Sequence, residues 1–489
     1  MIFDPSVLLR ISLAMAIPGV FAYISVMVAA LTAPGNRHVR IRRRYLAGGL
    51  FVSFIGVGMM AFGAWSARED SRYDNVVLIG LMLMTLIGGG LLLLGFGPFA
   101  SWLLEILGRC AERLPLPVRL AVRDLASRRA TTAAAITMTA MATSFGIALT
   151  IVAVGMTTQD RAYYSPSARP GALVVKYFSA EQAGAVRAAI QKELPGVPIA
   201  QSESPREYRH FGASAENLDP LEEPVYPHEV IGDEALLRYI TGDQSTPYDE
   251  GQAVVVVNAD VKVDSVEIDY DVTGNNGPLA SKTIPAIVAR TVDPNMQTIF
   301  VPTKVVRDLG YRLEPEELIV DPSLRRISAS EQERLDSRLG DVAETYVERG
   351  FQASISWLPV AAATLLIALY GALTTGYGKT TNARPGRVLR RAGDGSTATF
   401  RWFGASRAGL SAACGTVLGA VAGCPIGMLL IWPLTAPAIW EDPPRVPFET
   451  PWLTIAAVVV GLPVLAAALG GFLAREQADS DLSVSRRAA

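Results

Sequence analysis

The segment GYGKTTN (376–382) places Gly378, Lys379 and Thr380 in the order that closes a phosphate-binding loop, where backbone amides and a lysine gather around phosphate oxygens. The full pattern needs a glycine at 373, which is Leu373 here, and no soluble strand leads into it. Nucleotide binding is therefore not expected of this chain. The serine-nucleophile pattern G-x-S-x-G and the zinc pattern H-E-x-x-H are absent, and His38, His210 and His228 are scattered along the sequence. The acids Glu222, Glu223, Glu314, Glu316 and Glu317 read as a solvated face rather than a general acid/base pair. Cys110, Cys414 and Cys424 lie in or beside apolar segments, so the polar middle has neither a disulfide framework nor a cysteine zinc site. No catalytic residue, metal or cofactor is expected in this chain, and it does not read as an enzyme.

The elements around these residues are mostly apolar. Of 489 residues, 50% are hydrophobic and 18% charged, against roughly 25% charged in a soluble domain. Mean hydropathy is +0.29, too high to hide in soluble cores. Seven stretches, near 11–33, 46–65, 76–96, 132–156, 353–376, 408–434 and 452–474, have the length a helix needs to cross about 30 Å of hydrocarbon. The first is too long for a cleaved leader and is followed by arginines, so it reads as a retained anchor. None of the spans contains Asp, Glu, Lys or Arg, which argues against an ion-coupled carrier with an intramembrane relay.

Orientation follows from short basic loops. RHVRIRRR after the first span carries Arg37, Arg40, Arg42, Arg43 and Arg44 with no acid, and the linker 377–407 carries Lys379, Arg384, Arg387, Arg390, Arg391, Arg401 and Arg407 against Asp394 alone. Placing both in the cytoplasm puts the N-terminus outside, the C-terminus inside and 157–350 outside. The net charge of −2 is then a cancellation: 157–350 holds 19 Lys+Arg against 32 Asp+Glu, and the remainder 25 against 14.

The outer segment reads as a mixed α+β domain. ALVVKYF (172–178) alternates as a strand, and Ser179 with Gln182 predicts a capping box opening a helix to about Leu194. Further strands are predicted at 252–259, 282–290, 298–302 and 317–321, with helices near 303–310 and 330–340. The acidic, proline-rich stretch 213–250 reads as long surface loops.

In the sixth span Gly415, Gly419, Gly423 and Gly427 recur every four residues, which predicts a close helix contact, with Pro425 as a kink. Segment 109–131 is basic and amphipathic: Leu116, Leu120, Val122 and Leu125 are predicted to face lipid while Arg119, Arg123, Arg128 and Arg129 stay in water, as in a cytoplasmic interfacial helix.

VRLAVRDLASRRATTAAAITMTAMA (118–142) resembles the R-x-A-x-R-D-L lead into a transmembrane helix in FtsX-like permeases of ABC transporters, the group related to MacB and LolC. VVVVNADV (254–261) and TYVERGF (345–351) resemble that family's outer-domain strand and exit, and ATFRWFGASR (398–407) its cytoplasmic A-T-L-R-A-L-G-A-S-R motif. The resemblance covers about 110–475, in the family's order of span, outer domain and three spans, like the C-terminal half of the large two-module type. It implies that 1–108 are three helices remaining from a preceding half, whose outer module a partner chain supplies or the permease lacks.

The resemblance also implies a separate ABC ATPase as partner, with ATP and magnesium bound there and none here. Contact with that ATPase is implied for Arg384, Pro385, Ala398, Thr399, Phe400, Arg401, Gly404, Ala405, Ser406 and Arg407, and the interfacial helix is marked by Arg119, Arg123, Asp124, Arg128 and Arg129. GRVLRRAGDGST (386–397) separates Pro385 from the motif, where family members run straight on.

The expected architecture is thus a polytopic α-helical membrane protein of about seven spans with one extracytoplasmic α+β domain (157–350) and a cytoplasmic tail (476–489). The expected function is a plasma-membrane permease subunit exporting or extracting a lipid, lipoprotein or peptide. Its expected partners are the ATPase, membrane lipids and a second permease chain or copy of itself, with no nucleic acid. A non-transporting regulator of an envelope partner is the competing class.

Overall fold

The computed structural model describes residues 20–29, 39–67, 75–111, 115–164, 166, 168–206, 210–216, 218, 229–271, 279–291, 297–377, 397–436 and 445–487. The chain divides into two compact units, 1–163 with 353–489, and 164–352.

The first unit begins with helices α1 (Val20–Ala29), α2 (Val39–Ser66), α3 (Asn75–Cys110), α4 (Leu116–Ser127) and α5 (Arg129–Tyr163). Small residues let α2 and α3 run antiparallel at close range: a Cβ on Gly56 would lie 2.5 Å from the Gly88 carbonyl, and one on Gly49 would lie 2.7 Å from the Gly95 carbonyl. The chain breaks at Arg128, where φ is −106° and ψ is 44°, so the predicted interfacial segment is a short helix followed directly by a long one. Val122 and Leu125, predicted to face lipid, are buried instead. Leu125 packs among Leu104 of α3, Ala133 and Ile136 of α5, and Cys414.

The second unit contains, in chain order, β1 (Leu173–Lys176), α6 (Ala183–Glu193), β2 (Ile199–Pro205), β3 (Phe211–Ala215), β4 (Glu229–Gly232), α7 (Glu234–Thr241), β5 (Ala253–Val257), β6 (Ser265–Tyr270), β7 (Ala280–Arg290), β8 (Thr298–Pro302), α8 (Thr303–Asp308), β9 (Leu313–Val320), α9 (Ala329–Leu339) and β10 (Glu344–Val347). The ten strands form one sheet ordered β10-β1-β9-β2-β4-β8-β5-β7-β6-β3, with β4/β8 and β5/β7 parallel and the other pairs antiparallel.

Period-two alternation explains why β5 is buried along its whole length. Val255 and Val257 join Ile299 and Val301 on one face, while Val254 and Val256 join Phe300, Leu236 and Leu237 on the other. On β1, Leu173 and Val175 meet Val186 and Ile190 of α6 and Leu335 of α9. Strand β7 changes partner at its proline: Ala280 to Pro285 pair with β6, and Ala286 to Arg290 pair with β5. Pro285 has no N–H to give a ladder, and it sits where the ladder hands over.

Two local predictions differ from the structure. The stretch 213–250 is not loop throughout; it supplies the end of β3, all of β4 and the buried helix α7. Asp233 caps α7 by accepting from the Leu236 N–H at 2.9 Å, and Gly242 ends it at φ 71°. The capping box predicted at Ser179 is half present: Gln182 Oε1 accepts from the Ser179 N–H, but α6 starts at Ala183 with no side-chain cap. The complete box lies at Ser328 and Glu331 on α9, where hydrogen bonds from Ser328 and then from Arg325 hold the Glu331 carboxyl down to about 2.

The first unit is completed by α10 (Leu358–Tyr377), α11 (Thr397–Leu434) and α12 (Trp452–Arg487). α11 is one continuous helix through Pro425. Six described helices are long and apolar enough to cross a membrane: Arg44–Ser66, Val76–Arg109, Arg129–Tyr163, Leu358–Thr375, Arg401–Leu434 and Trp452–Ala474. Of the first predicted span only Val20–Ala29 is described, as a short apolar helix. The chain is thus a polytopic α-helical membrane protein with an α+β domain.

Candidate functional site

The residues singled out by motif converge where α4 meets the first turns of α11. Arg407 is 4% exposed and Asp124 8%, and the Arg407 Nε lies 3.1 Å from Asp124 Oδ2, an ion pair held without hydrogen-bond alignment. Arg128, the residue that ends α4, has its Nε 3.9 Å from Asp124 Oδ1. One turn before Arg407, the buried Phe403 packs on Ala121 and the partly buried Leu120. Residues 403 and 407 share one face of α11, and 121, 124 and 125 share one face of α4, so the R-D-L motif and the G-A-S-R motif bind each other.

The other faces of the same turns differ in character. Arg401 and Trp402 are exposed, Trp402 at 67%. Gly404 faces α12: a Cβ there would lie 2.6 Å from the Ala474 Cβ and 2.7 Å from the Gly470 carbonyl, and Ala405 lies against Gly471. Thr399 and Ser406 are half-buried. Of Ala398 and Phe400 only the helical backbone is described, and Arg384, Pro385, His38, His228, Glu222 and Glu223 lie outside the described residues. On α4, Arg123 is exposed and Arg119 half-buried, while the exposed Arg129 donates to the Ala126 carbonyl at 3.1 Å.

Further along α11, the glycine stripe meets the backbone of α5. A Cβ would lie 2.5 Å from Thr139 at Gly415, 2.6 Å from the Ala140 carbonyl at Gly419, 2.6 Å from the Ser144 carbonyl at Gly423 and 2.8 Å from the Ile151 Cβ at Gly427. Those residues step along α5 in register with the glycines, as small-residue packing requires. The adjoining face of α5 is held by α10, where Thr139 Oγ1 donates to the Ala368 carbonyl at 3.1 Å and Gly146 faces Thr364. α5 is the most buried of the six membrane-length helices. By chain order it leads into the α+β domain, and α10 follows that domain.

Sequence reasoning missed two anchors. Arg445, before α12, donates to the carbonyls of Trp432 (2.7 Å) and Ala67 (2.9 Å) and stacks over Trp432, joining the ends of α11 and α2. A lone arginine in a proline-rich loop carries no pattern that would have revealed this. In the other unit the Glu348 of TYVERGF is fully buried, accepting from the Tyr164 hydroxyl and from the Gly350 N–H at 2.8 Å. Burial and then the Glu348 hydrogen bond push the Tyr164 phenol well above its usual range. This ties the first residue of the unit to its closing turn at 348–350 through one carboxylate.

Of the acids expected on a solvated face, Glu316 is exposed, Glu317 pairs with Lys176 at 2.6 Å and Glu314 pairs with Arg206 at 3.0 Å. The backbone carbonyl of His210 accepts from Tyr311. Among the described residues, no three His, Cys, Asp or Glu side chains gather as metal ligands would. Comparison of the chain with protein-family models and with curated proteins finds no match in either.

Proposed function

We propose that this chain is the permease subunit of an ABC-type assembly, converting nucleotide-driven motion of a separate ATPase into movement of the α+β domain, for export or extraction of a lipid, lipoprotein or peptide. The observation that carries the reading is the seating of Phe403 and Arg407 on Ala121 and Asp124. A push on the first turns of α11 is thereby shared with α4. It passes along the glycine contact to α5, whose chain runs on into the α+β domain. Packed helices with two arrangements are a known route for such transmission. ATP and magnesium belong to the partner in this reading.

The exposed Arg401 and Trp402 are the residues of the motif that a partner reaches without disturbing the bundle, whereas Gly404 is committed to α12. Purification from the native cells in mild detergent is expected to recover an ATPase subunit, and Arg401→Glu with Trp402→Ala to reduce that recovery about tenfold, as loss of a central contact does. Recovery of no ATPase, or undiminished recovery by the variant, overturns the permease reading. It then leaves the regulator of an envelope partner, which the dozen residues between Pro385 and Ala398 favour.

In this reading the chain lies in the plasma membrane with its C-terminus in the cytoplasm and the α+β domain outside, an orientation that the basic loops support. A cysteine at the exposed Gln244 is expected to react with a membrane-impermeant maleimide on intact spheroplasts. Labelling only after permeabilisation reverses the orientation.

A further inference from the structure

We infer that the groove between α2 and α3 is a binding site for an anionic phospholipid, with its acyl chain against the groove wall and its headgroup at the arginines that open α2. The groove has a volume of about 780 Å³ and is walled by Leu46, Leu50, Phe51 and Phe54 of α2 and by Phe99 and Trp102 of α3. Phe51 and Phe54 are 64% and 74% exposed, and Trp102 meets Phe99 edge-on at 6.4 Å.

Its position along α2 decides the occupant. At 1.5 Å per residue, Leu46 to Phe54 lie roughly 3 to 15 Å beyond Arg44, and about 15 Å is one leaflet of a hydrocarbon core some 30 Å thick. The groove is therefore one acyl chain deep and opens at the basic end of the helix. That end carries Arg40, Arg42, Arg43 and Arg44, with no acid between Asp4 and Glu69. The nearby end of α3 adds no net charge, because Glu105 pairs with Arg109 at 3.1 Å. Tyr45 and Trp102 stand at the level where aromatic side chains mark the headgroup boundary. An apolar groove alone would take any lipid; the exposed Arg44, preceded by Arg40, Arg42 and Arg43 in the first turns of α2, selects a negatively charged headgroup.

Brominated acyl chains quench tryptophan on contact, so Trp102 reports its own occupant. The full chain is reconstituted in phosphatidylcholine vesicles with rising fractions of dibrominated phosphatidylglycerol or dibrominated phosphatidylcholine, and the Trp102 signal is taken as the difference from Trp102→Phe. The brominated phosphatidylglycerol is expected to quench it at roughly fivefold lower mole fraction, the preference one arginine near a headgroup confers. Arg42→Gln with Arg43→Gln and Arg44→Gln is expected to abolish the preference while leaving quenching by both lipids, which shows the groove still formed. Equal quenching of the unaltered protein by the two lipids, or a preference that survives loss of the arginines, overturns the proposal. Quenching by neither overturns it too, by showing a protein surface in the groove.

Discussion

Replacing Asp124 by alanine is expected to destabilise the helical unit by about 3–5 kcal/mol, the usual cost of leaving one member of a buried ion pair without its counter-charge. Arg407 lies within a membrane-length helix at 4% exposure, and Asp124 is the closest carboxylate it has. Arg128 would be left 3.9 Å from the position the carboxylate vacates, adding like-charge repulsion to the loss. The measurement is thermal unfolding in detergent followed by a thiol-reactive dye, which reads Cys414 (buried) and Cys424 (half-buried) as the bundle opens. Cys110 is changed to serine beforehand to give a quiet background. Arg407→Ala should cost a similar amount. The double change Asp124→Leu with Arg407→Leu should recover most of the loss, because removing both charges removes the desolvation penalty as well. If Asp124→Ala and Arg407→Ala unfold together with the unaltered protein, the pair contributes nothing to the junction of α4 and α11. Adding the double variant Asp124→Ala with Arg407→Ala closes a double-mutant cycle that separates pairing from simple truncation, since two independent losses would add.

The second large effect is expected at Gly419. A single methyl there would lie 2.6 Å from the Ala140 carbonyl and 2.7 Å from the Thr143 Cβ, distances that require the backbones of α11 and α5 to separate. Overpacking of this kind costs about 1–3 kcal/mol for Gly419→Ala, and more for Gly419→Val, whose branched side chain has less room to turn aside. Gly461 of α12 is the matched control, since nothing lies within 4 Å of its added Cβ. In a helix interior alanine is favoured over glycine by about 1 kcal/mol, so Gly461→Ala is expected to be neutral or stabilising. The two variants should therefore move the unfolding temperature in opposite directions. Equal shifts would mean that helix propensity, and not close approach, governs the stripe. In the proposed mechanism Gly419→Ala should also uncouple α11 from the α+β domain, because the contact it opens joins the motif-bearing helix to the one that leads into that domain.

Reading residues in order recovers features whose cause is local. The membrane-length helices follow from run length and absence of charge, and VVVV at 254–257 announced a strand because four β-branched residues in a row suit a pleated, two-sided environment. The helix at 234–241 was equally local, with Asp233 before it and Gly242 after it. The surrounding acids and prolines masked the short amphipathic run Leu236-Leu237-x-x-Ile240. The interfacial segment shows the opposite error. Its amphipathic pattern is legible along the chain, but an apolar face looks the same whether lipid or another helix covers it, and α3, α5 and α11 cover Leu125.

What the amino-acid order alone determined is a chain of membrane-length helices interrupted by an α+β segment, with glycines stacked on one face of the apolar run 408–434 and no recognisable catalytic pattern. These depend on period, length and composition over windows of one element. The tertiary structure alone decided that the glycine stripe faces α5, that β7 serves two partners across Pro285, that Arg445 and Glu348 are anchors, and that Asp124 and Arg407 neutralise each other. The physical reason is shared by all four. Each depends on which surfaces meet when distant elements pack, and a charge or a small residue carries no mark along the chain of the partner that packing will bring to it.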